Sequence, residues 1–244
     1  MLRLSVRLWS EKGDGHMKLN QINERTWVTS FEEERDRPAL GYIRGDRYSL
    51  AIDAGHSKEH VEEFYSLLKE AELPLPELTV LTHWHWDHTF GMFAINGLSL
   101  AEKKTEDHLQ RLLKDWDDEA EKRLKAMDEH IALEYRNQRM HVASSDVIFK
   151  DEISLDLGGI EAQCLHTESP HTDDSVLILL PRERILFFGD CISGEYPEWI
   201  VDIRRMKLLI SKLEDLDFDL AIGGHWEPES KRMLLDRLKE ENGL

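Results

Sequence analysis

The run His83-Trp84-His85-Trp86-Asp87-His88, inside "LTHWHWDHTFGM" (Leu81 to Met92), places three imidazoles and a carboxylate within six positions. A lone histidine is ordinarily an exposed or hydrogen-bonded residue, and a pair two apart says little. Four donors this close suit a cation. At the end of an extended strand, side chains two apart share a side, so His83 and His85 converge on one ion and Trp84 turns away. Beyond His85 the chain must leave the strand, which turns Asp87 and His88 toward a second position about 3.5 to 4 Å from the first, the separation usual in two-metal sites. Imidazole nitrogen and carboxylate oxygen without thiolate suit Zn²⁺ and leave a coordination position open.

One cluster cannot complete two sites, so further donors are expected at strand ends downstream. "ESPHTDDSVLILL" supplies His171 just before a strand, "RILFFGD" supplies Asp190 at a strand end, and "LAIGGHW" supplies His225 after an apolar strand. Gly223 and Gly224 allow the sharp backbone turn that brings the last ring in.

This ordered set, an HxHxDH run followed by His171, Asp190 and His225, resembles the metallo-β-lactamase superfamily of dinuclear hydrolases. The likeness runs from "AIDAG", around Asp53, to "GGHW". It implies an α/β fold, a four-layer αββα sandwich with the metals at one edge between the sheets. It further implies that His83, His85 and His171 hold one metal, that Asp87, His88 and His225 hold the other, and that Asp190 bridges both. Asp53 is similar to the family's early aspartate, which orients a ligand histidine. Its plain alternative is an N-cap or turn aspartate before the helix that follows Ser57. The implied cofactor is two Zn²⁺, with iron or manganese as alternatives. The implied nucleophile is a metal-bridging hydroxide available at neutral pH, with Asp87 as the catalytic side chain that orients it and moves a proton. No G-x-S-x-G elbow offers a serine instead. The expected reaction is hydrolysis of a small carboxylic ester, thioester, lactone or amide. A single-iron persulfide dioxygenase and a phosphodiesterase are the alternatives within the same fold, and a binding protein without turnover is the weakest choice.

The elements that must position these donors are legible in outline. Residues Arg25–Phe31, Leu40–Arg44 and Tyr48–Gly55 read as strands. From Ser57, a plausible N-cap, the positions Val61, Phe64, Tyr65, Leu68 and Ala71 recur at helical spacing. "LTVLTH" is a short apolar strand of the kind buried on both faces. Thr105 to Arg139 carries an apolar stripe at helical period, one helix or two. Then "EISLDL", "IEAQCLH", "SVLILL" and "RILFFGD" read as strands, with "PRER" a hairpin-like turn. A helix over Asp202 to Leu216, the strand "FDLAIGG" and a helix over Glu229 to Glu241 complete the chain. At the other end Leu2, Leu4, Val6 and Leu8 alternate as a strand would, although Met17 is an alternative natural start. We read 1–244 as a single domain with a helical insertion at about 105–139, whose stripe packs on the sandwich. A lid over the site is the second reading.

A net charge of −18 over 244 residues repels phosphate backbones, so the expected partner is a small-molecule substrate and no nucleic acid. No apolar run approaches the ~20 residues of a membrane span. Two cysteines, Cys164 and Cys191, read as buried, reduced thiols, which favours the cytoplasm. Oligomeric state stays open, a homodimer included. Alternation sends Trp84 into the sandwich, whereas Trp86, Tyr196, Trp199 and Trp226 are candidates to line a pocket. His56 follows the "AIDAG" turn and could approach the site; His16, His60, His108, His130, His141 and His166 match no motif.

Overall fold

The computed structural model describes residues 17–244, and in it each half of the chain folds into a sheet. The expected strand over Leu2–Leu8, and His16, lie outside the described residues. The first sheet holds β1 (Leu19–Asn23), β2 (Thr26–Thr29), β3 (Gly41–Arg44), β4 (Ser49–Ile52), β5 (Leu78–Val80), β6 (Leu98–Glu102) and β7 (Val147–Phe149), neighbours in that order. The second holds β8 (Glu152–Asp156), β9 (Glu161–His166), β10 (Val176–Leu180), β11 (Ile185–Gly189), β12 (Leu220–Gly223) and β13 (Glu229–Ser230), also neighbours in chain order. Antiparallel pairs are joined by turns. Parallel pairs need crossovers. Helix α1 (Lys58–Glu70) crosses from β4 to β5. A second helix, α2 (Trp86–Thr89), and three more, α3 (Lys103–Asp115), α4 (Asp118–Met127) and α5 (Glu129–Glu134), lie between β5 and β7. Helix α6 (Ile203–Asp215) crosses from β11 to β12, and α7 (Lys231–Glu241) ends the chain.

Period-two side-chain alternation decides the layering. Val28, Ile43, Leu50 and Ile52 of the first sheet meet Val176, Ile178, Ile185, Phe187 and Ile222 of the second in one buried cluster. Their neighbours Trp27, Tyr42 and Ala51 face the other way, onto Phe64 and Leu68 of α1. In the second sheet Leu177, Leu179, Leu186, Phe188 and Ala221 pack on Met206, Leu209 and Leu213 of α6 and on Leu234 and Leu238 of α7. Each central strand is therefore buried on both faces, and the order helix, sheet, sheet, helix is the expected αββα sandwich.

Several elements differ from the sequence reading. β1, β6 and β7 carried no recognised strand signal. β7 has three residues, and Ser99 of β6 is tied to the adjoining loop by its N–H and hydroxyl, which donate to Asp146 Oδ2 at 2.9 and 2.8 Å. The insertion is three helices, because Asp117 and Asp128 each restart a helix by accepting from a backbone N–H, those of Ala120 and His130. Helix α7 starts at Lys231, since Glu229 and Ser230 pair with Ala221 and Leu220. The insertion's stripe, Leu124, Ile131, Tyr135 and Met140, packs on Trp86 and Phe90. Among the described residues no helix is long and apolar enough to cross a membrane.

Candidate metal centre

Strand β5 ends at Val80, and Thr82 to His85 run outside regular structure into the single turn of α2, for which His85 is the N-cap residue. The turn redirects the chain within two residues, so Asp87 and His88 face a different position from His83 and His85. β11 and β12 pair in parallel with Gly189 beside Gly223, which brings Asp190 and His225 to the same edge. His171 arrives in the loop between β9 and β10. Close approach here requires glycine: a Cβ at Gly224 would lie 2.3 Å from Asp190 Oδ1 and 2.9 Å from His88 Cε1.

The structure brings every sequence-predicted donor together, in two adjoining sets. His83, His85 and His171, all buried, each offer a ring nitrogen within 4.8 Å of the others. Nε2 of His83 stands 3.2 Å from Nε2 of His171. Asp87, His88, Asp190 and His225 form the second set within the same limit. Asp87 Oδ2 is 3.0 Å from His225 Nε2 and 3.2 Å from His88 Nε2, and Asp190 Oδ2 is 3.5 Å from both rings. The His83 and His88 rings are 4.2 Å apart between centroids, so the sets share a wall.

Contacts behind the donors set their tautomers. Asp53 Oδ2 accepts from His88 Nδ1 at 2.7 Å, while Oδ1 accepts from the Thr82 N–H at 2.7 Å. The Thr82 hydroxyl donates to Asp53 and so accepts from His83 Nδ1 at 3.1 Å. His171 Nδ1 donates to the Gly194 carbonyl at 2.8 Å, with Ser193 Oγ 2.7 Å away. Each of these rings thus keeps its Nδ1 proton outward and turns its Nε2 inward. Asp53 adopts φ 64° to do this, and the N-cap of α1 is Ser57, so Asp53 is no capping residue.

Whether these residues fit a cation follows from what they lack. Two inward lone pairs 3.2 Å apart repel unless a positive charge lies between them. His88 Nε2 and Asp190 Oδ1 are buried with no hydrogen-bond partner, a costly arrangement that a cation bonded to both would satisfy. Burial, reinforced by neighbouring imidazoles, holds His83 well below its ordinary value and His85 at about 3, so the first set consists of neutral donors. In the second set burial opposes every charge, yet the pairing outweighs it: Asp87 and Asp53 hold His88 well up, Asp190 and Asp87 hold His225 at about 9, and the two rings bring Asp190 to about 2. The donors fit a cation at each set.

Other candidates are placed as follows. Trp84 turns from the donors, but toward α3, where it stacks on His108 at 5.3 Å half-buried; it does not enter the sandwich, because the chain has already left β5. Trp86 stacks beside His85, and Tyr196 and Trp199 lie 6.3 Å from the His85 ring. Trp226 packs with Phe188 in the outer core. His56 is buried and bonds the Arg35 and Asp36 carbonyls. Cys164 and Cys191 are buried free thiols that burial pushes up. Sequence reasoning missed Thr82, Ser193 and Asp36. Asp36 accepts from Trp86 Nε1 at 3.2 Å, and burial with the nearby Asp87 carboxylate pushes it up to about 7. It sits in the charge run "EEERDR", where no local signal singles it out.

Comparison with known proteins agrees with this geometry. The profile of the Metallo-beta-lactamase superfamily matches residues 40–225. A Caenorhabditis elegans protein named "Beta-lactamase-like protein 2 homolog" is 27% identical over 179 residues, 72% of this chain and 51% of its own. The human "Acyl-coenzyme A thioesterase MBLAC2" is 24% identical over 189 residues, 71% of this chain and 66% of its own. The chain thus spans about half to two thirds of these relatives. Among solved structures, a metallo-beta-lactamase from Pontibacter korlensis superposes with a TM-score of 0.67 at 18% identity, covering 92% of this chain and 98% of that one, a likeness of fold. With the profile spanning most of its length, the chain belongs to the metallo-β-lactamase superfamily.

Proposed function

We propose that this single-domain chain is a cytoplasmic, dinuclear zinc hydrolase of a small carboxylic ester, thioester, lactone or amide. The observation that carries the reading is the pair of adjoining donor sets, with buried His88 Nε2 and Asp190 Oδ1 left unsatisfied by the protein itself. In this reading His83, His85 and His171 hold one metal, Asp87, His88 and His225 the other, and Asp190 both. The thioesterase name of the human relative supports the thioester as one candidate substrate. When bound, the metals supply Lewis acidity and bring the pKa of water from 15.7 to roughly 7. The chain's own residues do the rest. Asp53, Thr82 and the Gly194 carbonyl keep protons on the outer ring nitrogens. Asp87, next to His88 and His225, orients the attacking water and carries its proton. Buried walls formed by Trp86 and the insertion helices limit the water that reaches the site.

Metal quantification coupled to a panel of ester, thioester, lactone, lactam and phosphodiester substrates tests the proposal. Two zinc equivalents with turnover of a carboxylic derivative is the expected result. One iron with oxygen consumption, or turnover of the phosphodiester alone, overturns it. Asp53→Asn removes the negative charge and leaves one acceptor oxygen for two donors, His88 Nδ1–H and the Thr82 N–H, and is expected to weaken zinc affinity by roughly 10- to 100-fold with unchanged circular dichroism. Competition with a chelator measures this, and unchanged affinity would remove Asp53 from the scheme.

A further inference from the structure

The rings of metal donors His85 and His171 are overlaid on one side by the loop after β11. Trp199 stacks on His171 at 5.9 Å with 10° between planes, and Tyr196 lies edge-on to both Trp86 at 5.3 Å and Trp199 at 5.6 Å. The Tyr196 hydroxyl reaches Met127 Sδ of α4 at 3.0 Å, which joins the insertion to this loop. The outer faces are open: Trp199 is 51% exposed, Ile200 69% and Met127 49%. Exposed apolar side chains grouped beside a donor set mark a place for a ligand.

The loop that carries it, Asp190 to Asp202, holds four acidic side chains and no lysine or arginine. Glu198 adjoins Trp199, Glu227 lies two residues after His225, and among the described residues neither forms an ion pair. Glu195 in the same loop is offset by Arg205 at 3.4 Å. The whole chain carries −18. Such a field slows the approach of anions and leaves neutral molecules unaffected.

We propose that the site selects an ester or thioester whose apolar acyl group lies on Trp199, Ile200 and Met127 and whose leaving group is uncharged or cationic, and that it disfavours polyanionic leaving groups such as coenzyme A. The proposal rests on the hydrolase reading for turnover, but its binding preference can be measured separately. Occupancy by the acyl group follows from continuity: the same rings that form the apolar surface touch the donor imidazoles.

The test is calorimetric binding of two unreactive thioethers to the metal-loaded protein at pH 8, S-octyl-N-acetylcysteamine and S-octyl-coenzyme A, alongside turnover of the matching octanoyl thioesters. The uncharged thioether is expected to bind at least ~10-fold more tightly at low salt, with the gap narrowing as salt screens the rim. Trp199→Ala should weaken the uncharged thioether about 10-fold, since the indole is the largest apolar contact this surface offers. Glu198→Gln with Glu227→Gln should narrow the gap. Equal or tighter binding of the coenzyme A thioether overturns the proposal. So does a Trp199→Ala protein that binds normally while its oligomeric state changes, which would make the surface a contact between copies. The expected binding preference with no turnover of either thioester would support the surface and remove the thioester from the substrates of the hydrolase reading.

Discussion

Asp190→Ala is expected to abolish function while leaving the fold intact. Metal content should fall from two equivalents to one or fewer, and kcat/KM by at least ~10³-fold, because the shift of water from pKa 15.7 to roughly 7 needs the charge of the assembled centre. The physical reason is specific to this carboxylate. Asp190 Oδ2 stands 3.5 Å from both His88 and His225, and its Oδ1 is one of the buried atoms the protein leaves unpaired. Removing it takes a donor from the second set and, among the described residues, the one carboxylate beside His88 with an uncommitted buried oxygen. His85→Ala should have the same outcome by a different route, since His85 is neutral and its loss removes a lone pair from the first set without changing charge. Plasma emission spectrometry, substrate turnover and thermal unfolding read the three consequences. Two retained metals with wild-type turnover in Asp190→Ala would refute the assignment.

Arg37→Ala is the second large effect, and it acts on stability. Arg37 is 1% exposed and sits among four carboxylates. Its Nε donates to Glu134 Oε2 at 2.9 Å, and its Nη1 to Glu32 Oε2 at 3.0 Å and Glu63 Oε2 at 2.9 Å. Glu134 of α5 is itself fully buried and also accepts from the Ser57 hydroxyl, so this network ties the insertion to the N-terminus of α1 and to the loop carrying Asp36. Without the guanidinium, Glu134 is left as a buried charge with only Arg35, at 3.5 Å, to oppose it. The expected cost is about 3–5 kcal/mol, or a Tm lower by roughly 10 °C for a domain of this size. Arg37→Met with Glu134→Leu should recover most of the loss, because an apolar pair carries no desolvation penalty. Differential scanning calorimetry decides between them. A single variant as stable as the parent would show that the network is solvated.

The donor set was readable because its members lie in the short segments that follow or precede apolar strands, and those segments are marked locally by apolar runs that stop at Gly, Asp or His. Asp53 was readable for the same reason. Asp36 was not: it reaches the centre through a hydrogen bond from Trp86, fifty positions along the chain, and through His56, which holds its carbonyl. Ser193 likewise matters only because His171 folds against it. Trp84 shows the limit of periodicity, since alternation turned it from the other donor-side rings but could not foresee that α3 would receive it.

The amino-acid order by itself marked the donors and most of the strands and helices around them, because hydrophobic period and ligand spacing are properties of short segments; the four-layer architecture was what the resemblance to the metallo-β-lactamase superfamily implied. The tertiary structure decided how closely the two donor sets adjoin, which side chains stand behind their outer ring nitrogens, and which aromatic rings stand over the imidazoles. Those features depend on the distance between segments far apart in the chain, and only packing of the two sheets and the insertion sets that distance.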